Sequence, residues 1–482
     1  MSFNSLQFAL FFPVILLLLR WTDGWLKLSI LLAGNILFLQ VLGIQHSFFM
    51  VYVIGTSYLA GILIEHFRER RQGALVFLAA SVMLVTAPLI YFKYQAFIVC
   101  LIRLSSSRCD PTSYVETYSQ VLPLGISFYT LQAISYIVDV YFGRARCERN
   151  LLYFANFKSF FPQLVAGPIE RVTTLLPQLK NNFRATDTDL HAGFSLMAWG
   201  FFKKLVIADN LTSIVDPVFA NPQNFSALSL AVAVLAFTIQ IYYDFSGYTD
   251  IATGVARMMG IRLSLNFNNP YFANSITNFW RRWHISLSTW FRDYVYLPIG
   301  GSRSGVARMY FGLTAVFLIS GIWHGANFSF IAWALIHLFF LVMEKVSGTA
   351  RPDEPVRLGL ASIMQWLVTM GIVMVGWVFF RAKNVGDGFY ILKTIANALH
   401  GPAGAINTGS NAVAPNSNSL AIGFGAALFM FAAEYFNSRS VNGSIASAVH
   451  LRRTGVVALY VLLLVTLVAG NFGRSAFIYF QF

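Results

Sequence analysis

Twelve apolar runs recur along the chain, and they limit what it can fold into more than any other feature. They lie at 6–19, 28–44, 47–64, 74–92, 119–142, 191–208, 226–245, 309–323, 328–344, 359–380, 417–436 and 455–470. A helix crossing a bilayer upright needs about 20 apolar residues, so the shorter runs imply tilted or broken helices. Charge supports this reading. Only 11% of the 482 residues are charged and mean hydropathy is +0.62, whereas a soluble domain carries about 25% charged residues to solvate its surface. The remaining surface must face lipid. The expected fold is all-α and polytopic, with about 11–12 transmembrane helices plus short re-entrant or interfacial helices. It forms one membrane-embedded domain over 1–482, with no separate soluble domain.

Basic residues set the expected orientation. If the loop with Arg68, Arg70 and Arg71 is cytoplasmic, alternation places 25 of the 34 Lys and Arg on that side and seven on the other. Lys203 and Lys204 fall within a run. The bias predicts that both termini lie outside the cytoplasm. It also accounts for the net charge of +14 without nucleic acid, leaving a secondary attraction to anionic membrane lipids. The three cysteines, Cys100, Cys109 and Cys147, have no metal-ligand spacing, and no metal site is expected. A Cys100–Cys109 pair competes with an unpaired role, which is the simpler one. No cleavable signal peptide is evident. The polar stretch 401–419 reads as an extracytoplasmic loop.

Ionisable groups in apolar runs are costly and mark candidate functional sites. His324 lies in Ser320-Gly321-Ile322-Trp323-His324-Gly325-Ala326-Asn327, a polar break between two runs. Gly321 and Gly325 allow a tight turn and close approach of a substrate; a histidine capping a hairpin is the plainer alternative. His284 lies in a tryptophan-rich stretch. There Phe279, Trp283, Leu287, Trp290 and Tyr294 recur at helical spacing, and Arg281, His284, Ser288 and Arg292 form a second, polar face. That helix either lies at the membrane surface with its arginines reaching headgroups, or lines an aqueous funnel meeting a polyanionic donor. Asp244 is expected to pair with an arginine of 281–292. His337, seven residues before Glu344, reads as a satisfied core histidine, and Gly300-Gly301 as a turn. The aromatic ending Phe477-Ile478-Tyr479-Phe480-Gln481-Phe482 implies docking rather than a mobile tail.

Four segments in order along the chain give these residues a context: Phe160–Arg171, Tyr243–Asp250, Asn269–Gly301 and Gly321–Gly325. Through them the sequence resembles the membrane-bound O-acyltransferase (MBOAT) family, in its bacterial branch typified by the alginate O-acetylation membrane subunit. The resemblance implies that His324 is the principal catalytic residue and His284 the second histidine, both on a central tunnel crossing the membrane. Trp280, Arg281, Arg282, Ser288, Trp323, Asn327 and Asp244 are the expected donor-binding or tunnel residues, and Tyr479 the expected acyl relay. It further implies acetyl-CoA as acyl-donor substrate with no bound cofactor, and separate extracytoplasmic acetyltransferase or polysaccharide-modifying partner proteins. The site of action is the bacterial inner membrane, and the acceptor an exported polysaccharide such as alginate or cellulose. Peptidoglycan, or a lipid-linked or protein intermediate, remains an alternative acceptor. A membrane transporter and a non-catalytic scaffold of a secretion complex are the rival functions. The sequence lacks the paired discontinuous halves that the former commonly shows.

Overall fold

A computed structural model describes residues 1–41, 43–102, 123–165, 167–349, 359–400, 417–438, 453–473 and 477. Where they are described, each of the twelve apolar runs is largely helical, and no strand occurs among the described residues. Among the described residues, seven helices are long and apolar enough to cross a membrane: His46–His66, Gln72–Tyr94, Ala227–Met258, Val306–His324, Phe328–Val346, Leu360–Arg381 and Asn418–Phe436. Three shorter apolar helices, Leu6–Trp21, Gly24–Gln40 and Val457–Ala469, accompany them. The protein is thus all-helical and multi-pass, as its hydropathy requires. Cys109, Tyr479 and most of the expected loop (401–416) lie outside the described residues. Cys147 carries a free thiol, whose Sγ lies 2.8 Å from Glu65 Oε2.

The chain packs as two compact units. The first comprises Met1–Met197 and Tyr248–Leu265. Polar side chains on apolar helices tie it together, because an unpaired amide in lipid costs more than the bond that satisfies it. Asn156 Nδ2 donates to the Leu28 carbonyl (3.0 Å), Asn35 Nδ2 donates to Asn156 Oδ1 (3.2 Å), and Asn35 Oδ1 accepts the Phe161 N–H at 3.0 Å. Glu170 closes the Phe160–Arg171 segment by accepting the Ser264 N–H and hydroxyl at 2.5 and 3.0 Å. Helices Asp187–Phe201 and Ala227–Met258 cross at a glycine pair. A Cβ on Gly193 would sit 2.6 Å from the Gly254 carbonyl oxygen, and one on Gly254 2.5 Å from that of Gly193. Small residues are what allow two backbones to approach this closely.

The second unit comprises Ala198–Gly247 and Asn266–Phe482. Its core is aromatic, with Trp283, Trp333, Trp377 and Tyr242 fully buried. Val306–His324 and Phe328–Val346 form an antiparallel hairpin, and Leu360–Arg381 packs on the second of them. On the first, Phe311, Ile319 and Ile322 are exposed while Phe317, Trp323 and His324 are buried, which fixes its lipid-facing side. The apolar run expected to end at 245 does not mark a helix end: the helix continues to Met258, about 48 Å in all at 1.5 Å per residue.

Candidate active site

The stretch expected to form one two-faced helix is broken at its centre. Helix Ile276–Arg282 ends, Trp283 is extended, and His284 adopts a left-handed conformation (φ 43°, ψ 54°) before helix Ile285–Phe291 begins. A non-glycine residue in this region costs about 1–3 kcal/mol and persists only where surrounding bonds impose it. Asn266 imposes it here. Its carbonyl oxygen accepts the Ile285 N–H at 2.9 Å. Its side-chain Oδ1 accepts the Ser286 N–H at 3.3 Å and the Ser286 hydroxyl at 2.9 Å, and lies 3.0 Å from His284 Nδ1. Two residues on, Asn268 N–H donates to the Arg282 carbonyl at 3.0 Å. Periodicity alone could not reveal the break, because the bonds that cause it come from a segment 18 residues upstream.

The same geometry sets the histidine tautomer. The Ser286 N–H identifies the Asn266 atom as oxygen, which can only accept. His284 Nδ1 must then carry the proton, leaving the lone pair on Nε2. The imidazole is 1% exposed and held between rings: Phe245 edge-on at 4.7 Å and Trp323 at 6.4 Å between centroids.

A hairpin positions His324. It is the last residue of Val306–His324, buried at 6% exposure, and its ring packs on Trp323 (4.8 Å), Trp333 (5.0 Å) and Phe380 (5.1 Å). The glycines beside it do permit a close approach, but of protein rather than substrate. A Cβ on Gly321 would lie 2.8 Å from the Phe330 carbonyl oxygen, and one on Gly325 2.1 Å from the Phe330 ring. Asn327 is committed to this turn, where its Oδ1 caps the next helix through the Ser329 N–H (3.0 Å) and its Nδ2 donates to the Lys383 carbonyl (2.6 Å). Trp323 contacts both histidine rings, so their separation cannot exceed the sum of its distances to each.

Glu344 joins the two histidine segments and was not singled out in the sequence. Its carboxylate accepts the Ile276 N–H (2.5 Å), the Thr277 N–H (2.9 Å) and the Thr277 hydroxyl (2.8 Å). The first turn of a helix presents unpaired N–H groups and partial positive charge, which an anion satisfies. Helix Ile276–Arg282, which leads into His284, is thereby fixed to the helix that follows His324.

Other expected residues distribute differently. Trp280 packs on Phe317, Trp333 and His337 at 5.7, 5.7 and 5.1 Å. Arg281 is exposed, whereas Arg282 bonds Asn278 Oδ1 and Ser288 Oγ donates to the Trp283 carbonyl at 3.3 Å. Asp244 pairs with Lys204 at 2.5 Å. Lys204 also meets Asp209 at 2.8 Å, and Lys203 meets Glu434 at 3.7 Å. These buried charges compensate one another within the unit, at a π-helical turn, Phe202–Ala208, that a hydropathy run does not announce. His337 is a core residue as expected but not a satisfied one: neither ring nitrogen has a hydrogen-bond partner among the described residues. Gly300 and Gly301 form a turn, with φ of 126° and 54°. Phe477 is buried, its ring 5.7 Å from Phe245, the ring that contacts His284; the rest of the aromatic ending lies outside the described residues.

Residues 146–381 match the model of the membrane-bound O-acyltransferase family, MBOAT, a span that includes both histidines. A probable alginate O-acetylase of Pseudomonas aeruginosa is 38% identical over 387 residues, covering 80% of this chain and 73% of that protein. A peptidoglycan O-acetyltransferase of Helicobacter pylori is 37% identical over 329 residues, covering 63% and 61%. A teichoic acid D-alanyltransferase of Bacillus subtilis is 26% identical over 280 residues, covering 56% and 68%.

Proposed function

Because the chain belongs to the membrane-bound O-acyltransferase family and is an O-acyltransferase, we propose that the group it transfers is acetyl, destined for an exported polysaccharide. The donor is cytoplasmic acetyl-CoA, and the acceptor side lies across the inner membrane, where alginate or cellulose is O-acetylated with the help of separate partner proteins. The likeness to an alginate O-acetylase over most of both chains supports this choice of acyl group and acceptor.

The observation that carries the reading is the pair of buried histidines whose rings both pack on Trp323. In the proposed reaction His324 takes the proton of an acceptor hydroxyl as its oxygen adds to the thioester carbonyl. The tetrahedral intermediate then collapses, the carbon–sulfur bond breaks, and the departing thiolate receives the proton. A positioned base of this kind contributes about 10² to 10⁴ in rate. His284, its Nδ1–H directed at Asn266, presents Nε2 as hydrogen-bond acceptor or second base. The aromatic wall of Phe245, Trp333 and Phe380 keeps bulk water from the thioester, which limits hydrolysis. The exposed Arg281 meets the phosphates of the donor. Tyr479, two residues beyond the docked Phe477, is the proposed hydroxyl that hands the acetyl group on.

Reconstituting the full chain in liposomes with radiolabelled acetyl-CoA on one side and the polysaccharide with its partner proteins on the other tests the proposal. Label is expected on the polymer only when acetyl-CoA occupies the cytoplasmic face. Transfer from another acyl thioester but not from acetyl-CoA would overturn the donor assignment.

A further inference from the structure

The first compact unit holds a cavity of about 540 Å³ unrelated to the histidines, at the junction of helices Leu6–Trp21 and Gly24–Gln40. Its lining combines apolar side chains, among them Leu16, Leu17, Leu190 and Met258, with the cations Arg20, Lys27 and Arg184. Lys27 is the unusual member. Its side chain is 2% exposed, and its ammonium, which has three donors, has one hydrogen bond among the described residues, to the Phe183 carbonyl at 2.5 Å. A buried cation is costly unless further acceptors reach it.

The local carboxylates leave positive charge over. Asp23 accepts bonds from Arg184 and from Asn182 (3.0 Å), and those bonds hold it down to about 2, so it stays ionised and is taken up by Arg184. Asp187 lies 3.8 Å from Arg20, both side chains being more than half exposed, which is a loose contact. Two indoles fix the depth of the site in the bilayer. Trp21 and Trp25 are 77% and 63% exposed on the same turn, as residues of an interfacial aromatic belt are. From there Leu10, Val14, Leu17 and Leu18 run as an exposed apolar stripe along the helix toward the membrane interior.

We infer that this cavity is a binding site for an anionic phospholipid, its phosphate on Lys27 and Arg20 and one acyl chain against Leu16, Leu190 and Met258. A soluble phosphate ester would gain nothing from the apolar wall, and a zwitterionic lipid would gain less from the cations. Basic pockets between membrane helices recognise anionic headgroups by this combination of charge and depth.

Native mass spectrometry of the detergent-purified full chain, titrated with phosphatidylglycerol and with phosphatidylcholine, tests the site. Phosphatidylglycerol is expected to be retained about tenfold more tightly, roughly 1.4 kcal/mol, and excess inorganic phosphate to leave it in place. Arg20→Gln, at an exposed position, and Lys27→Met should each remove most of that preference. Leu190→Trp, which fills the apolar lining without touching a charge, should weaken both lipids. Equal retention of the two lipids by the wild type, an unchanged preference in Arg20→Gln, or undiminished retention of both lipids by Leu190→Trp, would sink the proposal. Displacement by inorganic phosphate would make this a soluble-anion site and overturn the lipid assignment.

Discussion

His284 Nδ1 lies 3.0 Å from Asn266 Oδ1, and that contact fixes both the backbone and the protonation of the residue. The same oxygen takes the Ser286 N–H and hydroxyl, so the left-handed turn at His284 and the orientation of its ring have one cause. Asn266 is a positioning residue. Asn266→Ala should lower acyl transfer about 10- to 100-fold, a loss of roughly 1.4–2.8 kcal/mol in transition-state stabilisation. Asn266→Asp keeps an acceptor opposite Nδ1 but places a negative charge beside the ring. It should retain more activity than Ala, with the acid limb of the pH–rate profile displaced to higher pH, since the carboxylate favours imidazolium. A purely structural role for Asn266 would leave that limb where it is.

Substitution at His284 must respect the backbone as well as the chemistry. Asparagine tolerates the left-handed region far better than alanine does. His284→Asn should therefore insert and purify like the wild type while losing about 10²-fold or more in transfer. His284→Ala should add a loss of thermal stability. Comparing the two by transfer rate and melting temperature separates the imidazole from the turn that carries it.

Glu344 links the histidine segments through bonds to Ile276 and Thr277. Glu344→Ala leaves those N–H groups without acceptors and should destabilise the protein by about 1–3 kcal/mol. Glu344→Gln, which keeps one acceptor oxygen, should fall between. Because the loss acts on the placement of His284, kcat should drop while KM for the donor changes little, a split that steady-state kinetics on both variants resolves.

Phe477 docks against Phe245, the ring that also contacts His284. Tyr479→Phe removes one hydroxyl and no ring. Under the relay proposal the hydroxyl that receives the acetyl group is gone, so acetyl export and cleavage of the donor thioester should both fall sharply. Unchanged polymer acetylation in this variant, measured by mass spectrometry of the exopolysaccharide, would make Tyr479 an anchor.

The helices were legible in the sequence because burial in lipid demands continuous apolar runs, and such runs survive in composition whatever the tertiary contacts. The break at His284 was not. Phe279, Trp283, Leu287, Trp290 and Tyr294 keep helical spacing across it, and only the bonds from Asn266 reveal that the backbone does not. The Lys204 partner of Asp244 comes from a different apolar run, and no spacing in the sequence joins the two. The two glycines beside His324 were read correctly as permitting close approach, but what approaches is Phe330. Pairwise tertiary relationships of this kind leave no period in a single sequence.

The account stands most directly on His324. Acyl transfer from acetyl-CoA should be measured for His324→Ala in proteoliposomes, with insertion checked on the same preparation. Normal insertion is expected, with a rate at least about 10²-fold below wild type. An inserted variant that still transfers at near wild-type rate would contradict it.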